Sequence, residues 1–490
     1  MIAAEIESQS ASEILAALAR QGATLETLTA DSRMVTPGCG FAAYPGDTSD
    51  GRNYLDQAIA AGAAGVLWEQ RDYVWPQEWS QLPNVAVVGL KDRIGEIAAV
   101  LYGNPSDKLW MIGVTGTNGK TSCAHWLAQS LSASGQRSAV IGTLGNGFHD
   151  ALTPSLNTTP DAIVLQQALA GYVEQGAHAA VMEVSSHGLA QGRVNSVQFD
   201  VAVLTNLSRD HLDYHGDMAG YAAAKAMLFN WPGLRYAVLN VDDQFGRTLA
   251  GKLSGSKVEV VSYGMRSSRV RGTNLKLSAA GLEMDVESEW GNARLVSPLL
   301  GGFNAYNLLA VLATLLVSGV SMADAIRQLA ALRPVAGRMQ SLGGHKKPVV
   351  VVDYAHTPDA LEKALCTLRE INPRGKLICV FGCGGKRDAG KRPLMGAIAA
   401  NLADHVIVTS DNPRNEDPLA IIASITAGMS GDYRIEADRA AAISTAVRRA
   451  GAGDVVLIAG KGHEDYQEIK GVRHAFSDIA VAGQALEEWS

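Results

Sequence analysis

The stretch Met111-Ile-Gly-Val-Thr-Gly-Thr-Asn-Gly-Lys-Thr121 constrains this chain more than any other. The apolar run Met111–Val114 reads as a buried strand, Gly116–Thr121 as a tight turn and Ser122–Leu131 as a helix. A strand that ends in glycines and restarts as a helix turns several backbone N–H groups toward one point, with the positive end of the helix dipole behind them. That arrangement cradles phosphate. Lys120 is placed to reach the β- and γ-phosphates of a nucleotide, and the Thr121 hydroxyl to ligate Mg²⁺. The match to GxxxxGK(S/T) is imperfect, because Val114 stands where the first glycine would be. A glycine-rich surface turn with a chance lysine is the plainer alternative, and the flanking strand and helix oppose it.

The same alternation continues along the chain. Ala179–Val184, Asp200–Leu204 and Tyr236–Leu239 are buried-strand candidates, and Val349–Val352, Leu377–Phe381, Val406–Val408 and Val455–Ile458 form a second set. Strands separated by helices imply right-handed crossovers and mostly parallel sheets, hence an α/β fold. At roughly 100–200 residues per domain, 490 residues make about three domains. Gly103-Asn-Pro-Ser-Asp107 and Arg333-Pro-Val-Ala-Gly-Arg338 mark the junctions. The expected organisation is a smaller N-terminal α/β domain over 1–104, with strand-like Gly65–Trp68 and Val85–Val88. A central P-loop ATPase-like domain over 105–336 and a Rossmann-like domain over 337–490 follow. Ligands of open α/β sheets collect at the carboxyl ends of strands. This directs attention to Asp353–His356, Gly382–Asp388, Asp411–Arg414 and Gly460–Glu464.

Composition removes several function classes. With 47% hydrophobic residues and a net charge of −7, the chain can build cores but has no general basic surface for nucleic acid. The five cysteines (Cys39, Cys123, Cys366, Cys379 and Cys383) contain no CxxC pair, which points to reduced thiols rather than disulfides or zinc. Strand burial accounts for Cys379 and Cys383. Met1–Arg20 lacks the basic-then-apolar order of a signal peptide, and the apolar stretch Asn307–Val317 is too short to span a bilayer. A soluble, cytoplasmic monomer without membrane insertion is expected.

Behind the phosphate loop, Glu183 ends a strand and can hold a metal bridging ATP oxygens. His211 lies in the polar run Thr205–His215; a lone histidine is more often structural than a ligand. Lys225, within Tyr221–Phe229, has a solvent-facing helical lysine as its bland reading.

Thr115–Thr121, Met182-Glu-Val-Ser-Ser-His-Gly188, Asn206-Leu-Ser-Arg-Asp-His-Leu-Asp213, Gly301-Gly-Phe-Asn-Ala-Tyr-Asn307, Gly337-Arg338 and Asp353-Tyr-Ala-His-Thr-Pro358 together resemble the motif set of the Mur ligases. These are ATP-dependent amide-bond-forming enzymes of peptidoglycan synthesis. Val114 fits the family's variant loop, and Asp31-Ser-Arg33 with Gly46–Gly51 extends the resemblance into the N-terminal segment. Asp411-Asn-Pro-Arg414 resembles the amino-acid selection motif of the diaminopimelate-adding branch. The chemistry agrees: meso-diaminopimelate differs from lysine by one carboxylate, which a forked guanidinium binds bidentately. Lysine would leave Arg414 unpaired and be rejected.

The resemblance implies roles residue by residue. Gly116, Thr117, Asn118, Gly119, Lys120, Thr121, Asn304, Arg338 and Asp353 would contact ATP. Thr121, Glu183, His211 and a carbamylated Lys225 would handle Mg²⁺, and Lys120, Glu183, His211 and Lys225 form the catalytic set. Ser32, Asp47, Thr48 and Ser49 fall where the uridine diphosphate end of UDP-MurNAc-L-Ala-D-Glu binds. Asp47 and Thr48 depart from a His-Gln pair of some relatives. Asn157, Thr158, Thr159, Ser185, Gln191 and Arg193 would contact the muramoyl-dipeptide. Arg387, Asp411, Asn412, Pro413, Arg414, Gly460 and Glu464 would form the diaminopimelate pocket, with Glu464 on the distal ammonium.

The implied reaction phosphorylates the D-glutamyl γ-carboxylate with ATP, and the diaminopimelate amine then attacks the acyl phosphate. Closure of the C-terminal domain before chemistry is expected. Other readings stay open: a folylpolyglutamate synthase or lysine-adding relative, a P-loop kinase or hydrolase without any amine requirement, and a catalytically silent nucleotide-binding module.

Overall fold

The computed structural model describes residues 9–47, 49–155, 157–278 and 280–489. They fall into two compact units, one within 1–113, 135–202 and 230–235, the other within 114–134, 203–229 and 236–490.

The first unit opens with helix Ala11–Arg20, started by a capping box in which Ser10 and Glu13 satisfy each other's backbone N–H. Four parallel strands follow in sheet order: β1 (Thr27–Thr29), β2 (Cys39–Ala43), β3 (Gly65–Glu69) and β4 (Asn84–Val87). Alternate residues serve opposite faces, as strand periodicity requires. Ala42, Leu67, Val85 and Val87 pack with Ile14, Leu18, Ile94 and Ile97. Phe41, Ala43, Val66 and Trp68 pack with Val35, Leu55 and Ala58 on the other side. Strand β5 (Trp110–Thr115) then leads into the glycine turn. Further on, β6 (Ser138–Gly142) carries the antiparallel β7 (Gly145–Phe148) and β8 (Ala151–Thr153) on one side and the parallel β9 (Ala179–Glu183) on the other.

Strand β10 (Val201–Leu204) runs into the polar loop 205–211. In the second unit, β11 (Tyr236–Asn240) and β12 (Glu259–Gly264) are parallel, and β13 (Val270–Ser278), β14 (Gly281–Ser288) and β15 (Ala293–Ser297) form an antiparallel run. Helix Gly302–Val317 is buried on nearly every side, which explains its mostly apolar sequence after Asn307. No helix among the described residues is long and apolar enough to cross a membrane.

The last sheet contains β16 (Gln340–Gly343), β17 (Val349–Asp353), β18 (Leu377–Phe381), β19 (His405–Val408), β20 (Arg434–Ile435) and β21 (Val455–Ala459). Its order is β16-β17-β21-β18-β19-β20, parallel throughout except for edge strand β16. Val351, Cys379, Val408 and Leu457 face one buried layer, and Val350, Ile378, Ile407 and Val456 the other. Helices therefore cover both faces, as a sheet with continuous apolar strands demands. A two-stranded hairpin, β22 (Tyr466–Ile469) and β23 (Val472–Ala475), follows β21.

The α/β class with mostly parallel sheets agrees with the expectation from sequence. Two details differ. The helix expected over Ser122–Leu131 spans Lys120–Ala133, so the phosphate-loop lysine and threonine are its first residues. Cys383 lies beyond the end of β18; it is buried against Met395, 3.7 Å from that sulfur, rather than within a strand as Cys379 is.

Candidate active site

Strand β5 delivers Thr115 to the turn, and Val114 is fully buried within it. The position of the missing glycine is thus ordinary strand, and the sharp bends come later, at Gly116 (φ +145°) and Gly119 (φ +89°). Both must be glycine. A Cβ at Gly116 would stand 1.9 Å from Thr205 Oγ1, and one at Gly119 2.5 Å from Asn307 Oδ1. Lys120 Nζ folds back to donate to the carbonyls of Gly116 (2.8 Å) and Thr117 (2.9 Å). Thr117 Oγ1 accepts from Ser208 N at 2.9 Å and meets the Tyr221 hydroxyl at 3.2 Å. Asn118 N and Nδ2 donate to Asn206 Oδ1 and Asp359 Oδ2, and Thr205 Oγ1 donates to the Asn118 carbonyl. The loop is held in shape from three directions.

The expected ATP contacts beyond the loop gather around it. Asn307 Nδ2 donates to Asn304 Oδ1 at 3.1 Å. Arg338 Nη2 donates to Thr121 Oγ1 at 3.0 Å, and its guanidinium lies 4.4 Å from the Tyr354 ring centre. Asp353, at the end of β17, accepts from Met339 N at 2.7 Å; burial pushes its carboxyl upward against the pull of Arg338. His463 lies against Tyr354 with the rings tilted and their centres 5.3 Å apart, and burial together with Arg338 and Lys461 lowers its imidazole to about 3.

Lys225 is 1% exposed, which overturns the reading of a solvent-facing lysine. Its Nζ donates to the Gly116 carbonyl at 2.9 Å and lies 4.5 Å from the Tyr221 ring centre. Burial, then the charge of Lys120, holds this amine well below the ordinary lysine value. His211 sits in the left-handed region (φ +55°), its Nε2 3.3 Å from Asp210 Oδ2. Asp210 is the centre of a buried charge cluster: Lys391 stands 3.7 Å and His356 3.8 Å from its oxygens. Burial raises the Asp210 carboxyl, but Lys391, His211 and His356 outweigh it and hold it below the usual carboxylate range. Among the described residues no three His, Cys, Asp or Glu side chains converge as a ready-made metal site.

A second polar cluster forms where β19, β21 and the hairpin end. Asn412 Nδ2 donates to Glu464 Oε2 at 2.7 Å, while its Oδ1 accepts from Lys461 Nζ (3.1 Å) and Glu468 N (2.9 Å). Lys461, with no exposed side-chain area, also donates to Glu464 at 2.7 Å. Arg414 is pinned by its backbone to β22, its N–H donating to the Glu468 carbonyl at 3.0 Å. Arg387, exposed, and Arg414 flank Gly384. Asp411 accepts from Asn412 N; a Cβ on Gly460 would lie 2.5 Å from its Oδ2. Beneath, Arg439 grips Asp478 through two 2.7 Å hydrogen bonds and donates to the carbonyls of Ser410 and Ala459, the residues that precede the two loops.

The first unit holds the remaining expected residues. Glu183, 1% exposed, accepts from Thr143 N (2.7 Å) and Thr143 Oγ1 (3.2 Å). Thr158 meets Thr143 at 3.0 Å, and Thr159 donates to the Glu183 carbonyl and to Ser185 Oγ. Ser185 caps the short helix Ser186–Ala190, and Arg193 donates to the Thr159 carbonyl at 2.9 Å. Asp47 joins this group: Lys91 Nζ stands 2.6 Å and Gln191 Nε2 3.0 Å from its oxygens. A pocket of about 140 Å³ opens here, lined by Tyr44, Asp47, Lys91, Asp161, Gln191 and Arg193. Ser32 is buried and donates to Gln57 Oε1, away from that pocket's lining. Ser49 accepts the Gly46 N–H through its carbonyl, and Asn157 accepts from Ser155 Oγ. Thr48 lies outside the described residues.

Sequence reading missed Lys391, Asp359, Lys461, Glu468, Arg439 and Lys91. Lys391, Asp359, Arg439 and Lys91 stand at helix starts, Lys461 in a loop and Glu468 on strand β22, and only the fold reveals which charges meet.

Comparison with known proteins gives a consistent result. Residues 24–101 match the Mur ligase family catalytic domain, 114–315 the Mur ligase middle domain and 337–462 the Mur ligase glutamate ligase domain. A UDP-N-acetylmuramoyl-L-alanyl-D-glutamate–2,6-diaminopimelate ligase of Chromobacterium violaceum is 54% identical over 477 residues, 97% of each chain. That of Pseudomonas aeruginosa is 51% identical over 467 residues, covering 95% of this chain and 96% of the relative. A solved structure of a ligase with the same name is 39% identical, with a TM-score of 0.68 over 95% of each chain. The Thermotoga maritima MurF ligase, solved with ADP, is 20% identical and has a TM-score of 0.67 over 94% of this chain and 98% of its own, a likeness of fold. Matched segment by segment and over nearly its whole length, the chain belongs to the Mur ligase family.

Proposed function

We propose that this enzyme adds meso-2,6-diaminopimelate to the D-glutamyl γ-carboxylate of UDP-MurNAc-L-Ala-D-Glu, using ATP and releasing ADP and phosphate. The observation that carries the reading is the Asp411–Arg414 cluster. It brings Arg414, whose guanidinium donates to the Gly385 carbonyl and whose backbone N–H bonds Glu468, together with an amide (Asn412) and a carboxylate (Glu464) joined through the Glu468 backbone, the complement of a substrate end bearing both carboxylate and ammonium. The names and identity levels of the full-length relatives support it.

A carboxylate is a poor electrophile, and phosphoryl transfer from ATP gives it a leaving group. In this reading the loop N–H groups of Gly116–Thr121 and the Lys120 ammonium neutralise the β- and γ-phosphates, and Asn304, Arg338 and Asp353 bind the rest of the nucleotide. Lys120 already lies over the loop carbonyls and swings from them to phosphate. Mg²⁺ prefers phosphate oxygens plus few protein ligands. Its expected holders are Thr121, Glu183, His211 and Lys225, the last after carbamylation. Bound Mg²⁺ would shield the phosphates and polarise the transferred group. A desolvated, uncharged Lys225 amine is the form able to take up CO₂, and the product is a carboxylate-like ligand.

The amine of diaminopimelate then attacks the acyl phosphate, a tetrahedral intermediate forms and phosphate leaves. Asp47, Thr48, Ser49 and Ser32 are assigned to the uridine diphosphate end, and Asn157, Thr158, Thr159, Ser185, Gln191 and Arg193 to the muramoyl-dipeptide. Arg387, Asp411, Asn412, Pro413, Arg414, Gly460 and Glu464 are assigned to diaminopimelate. The three-segment organisation 1–104, 105–336 and 337–490 is supported by the separate matches over 24–101, 114–315 and 337–462.

The test is ADP formation from ATP, Mg²⁺ and UDP-MurNAc-L-Ala-D-Glu with diaminopimelate or L-lysine in parallel. Turnover with diaminopimelate that is strongly reduced in Arg414→Lys is expected. Turnover indifferent to the amine would point to a kinase or hydrolase instead.

A further inference from the structure

We propose that Glu468 is a built-in competitor for the Arg414 guanidinium, and that substrate carboxylate binds by displacing it. This rests on the diaminopimelate reading above and adds a specificity residue to it.

The geometry is directional. Arg414 Nη1 donates to the Gly385 carbonyl at 2.8 Å, which ties up one corner of the fork. The edge left for a two-point contact with carboxylate is Nε with Nη2, and Glu468 Oε2 stands 3.6 Å from Nε. Both side chains keep about a quarter of their surface exposed (22% and 25%), so the pair is not sealed from solvent. Glu468 is not there by a chance rotamer alone. Its carbonyl accepts the Arg414 N–H at 3.0 Å, its N–H donates to Asn412 Oδ1 at 2.9 Å, and the Arg414 backbone bridges to Ile469. The hairpin strand β22 therefore carries Glu468 on a rigid backbone to the side of Arg414. Gly384 and Gly385 leave the room: a Cβ on Gly384 would lie 2.9 Å from Arg414 Nη1.

The consequence reverses part of the expectation from sequence. Lysine does not leave Arg414 orphaned, because Glu468 stays paired with it. Rejection of lysine is weaker than an unpaired guanidinium would enforce, and diaminopimelate binds less tightly than Arg414 alone would allow. The competing pair is partly exposed, and such pairs are worth roughly 0.2–1 kcal/mol, which converts to a factor of about 1.5–5 in affinity.

The experiment compares the unsubstituted enzyme with Glu468→Gln and Glu468→Ala, measuring KM and kcat/KM for diaminopimelate and L-lysine at fixed saturating ATP and UDP-MurNAc-L-Ala-D-Glu. Thermal unfolding of each variant checks that the hairpin remains folded. Both substitutions are expected to lower the KM for diaminopimelate by about 1.5- to five-fold and to raise the preference for diaminopimelate over lysine. The gain should shrink as salt rises, because salt screens the competing carboxylate. An unchanged or higher KM in both folded variants would overturn the proposal and make Glu468 a neutral or supporting neighbour. If the unsubstituted enzyme forms no diaminopimelate-dependent ADP, the proposed function itself fails, which the parent assay reports separately.

Discussion

Arg439→Met is the perturbation whose cost follows most directly from the fold. Neither Arg439 nor Asp478 has any exposed side-chain area, and two 2.7 Å hydrogen bonds join them. Methionine keeps much of the volume but leaves the Asp478 carboxylate buried without its counter-ion. Removing one partner of such a pair costs about 3–5 kcal/mol. The carbonyls of Ser410 and Ala459 lose a donor as well. The urea slope of about 1–3 kcal/mol/M seen for small proteins rises with size, so the unfolding midpoint should drop by roughly 0.5 M or more. The double variant Arg439→Met with Asp478→Leu removes the stranded charge and should recover most of that loss, since well-packed apolar replacements of buried pairs are often neutral. Equilibrium urea unfolding of the three proteins gives the answer. A midpoint within about 0.3 M of the parent in the single variant would refute the reasoning, as would a double variant no better than the single. Because Ser410 and Ala459 precede the two loops of the amino-acid cluster, the single variant is also expected to raise the KM for diaminopimelate.

Four further outcomes follow from the structure. The folded-state pKa of unmodified Lys225 is depressed, so at neutral pH the unfolded chain binds the proton more readily; stability should rise as pH climbs toward the ordinary lysine value, and Lys225→Met should flatten that rise in pH-dependent unfolding. In catalysis, Lys225→Ala is expected to lose most turnover and to regain part of it with added short-chain carboxylic acid, whereas absence of rescue would count against a carbamate. His463 titrates near 3 in the fold against about 6.5 unfolded, so it withdraws stability as pH falls from about 6.5 toward 3, and His463→Asn should lessen that decline. Asp359→Ala removes the acceptor of Asn118 Nδ2 and should raise the KM for ATP by about 3- to 10-fold, at roughly 1 kcal/mol for a lost hydrogen bond.

The strands were legible because burial on both faces writes continuous apolar runs: Leu377–Phe381 has the bounds expected from its sequence, and β17, β19 and β21 differ by a residue at one end. The phosphate loop was legible because Gly116 and Gly119 have no substitute at their angles and clearances. Lys225 was not, since a lysine on a helix carries no mark of burial until Gly116 and Tyr221 are seen to close around it. The charge cluster of Asp210, His356 and Lys391 joins segments far apart in sequence, and neither spacing nor periodicity encodes such a meeting. Glu468 was passed over for a related reason: the hairpin that brings it to Arg414 is short, half-buried or exposed and without apolar pattern, while Lys461 lies in a glycine loop whose spacing carries no mark of burial.

The central claim is amide-bond formation selective for a substrate with a second carboxylate. Isolating the product of UDP-MurNAc-L-Ala-D-Glu, ATP, Mg²⁺ and an equimolar mixture of meso-diaminopimelate and L-lysine, and weighing it by mass spectrometry, tests it most directly. The expected result is a nucleotide product heavier by one diaminopimelate less one water, formed in step with ADP. A lysine adduct in equal or greater amount, or ADP without any adduct, would contradict it.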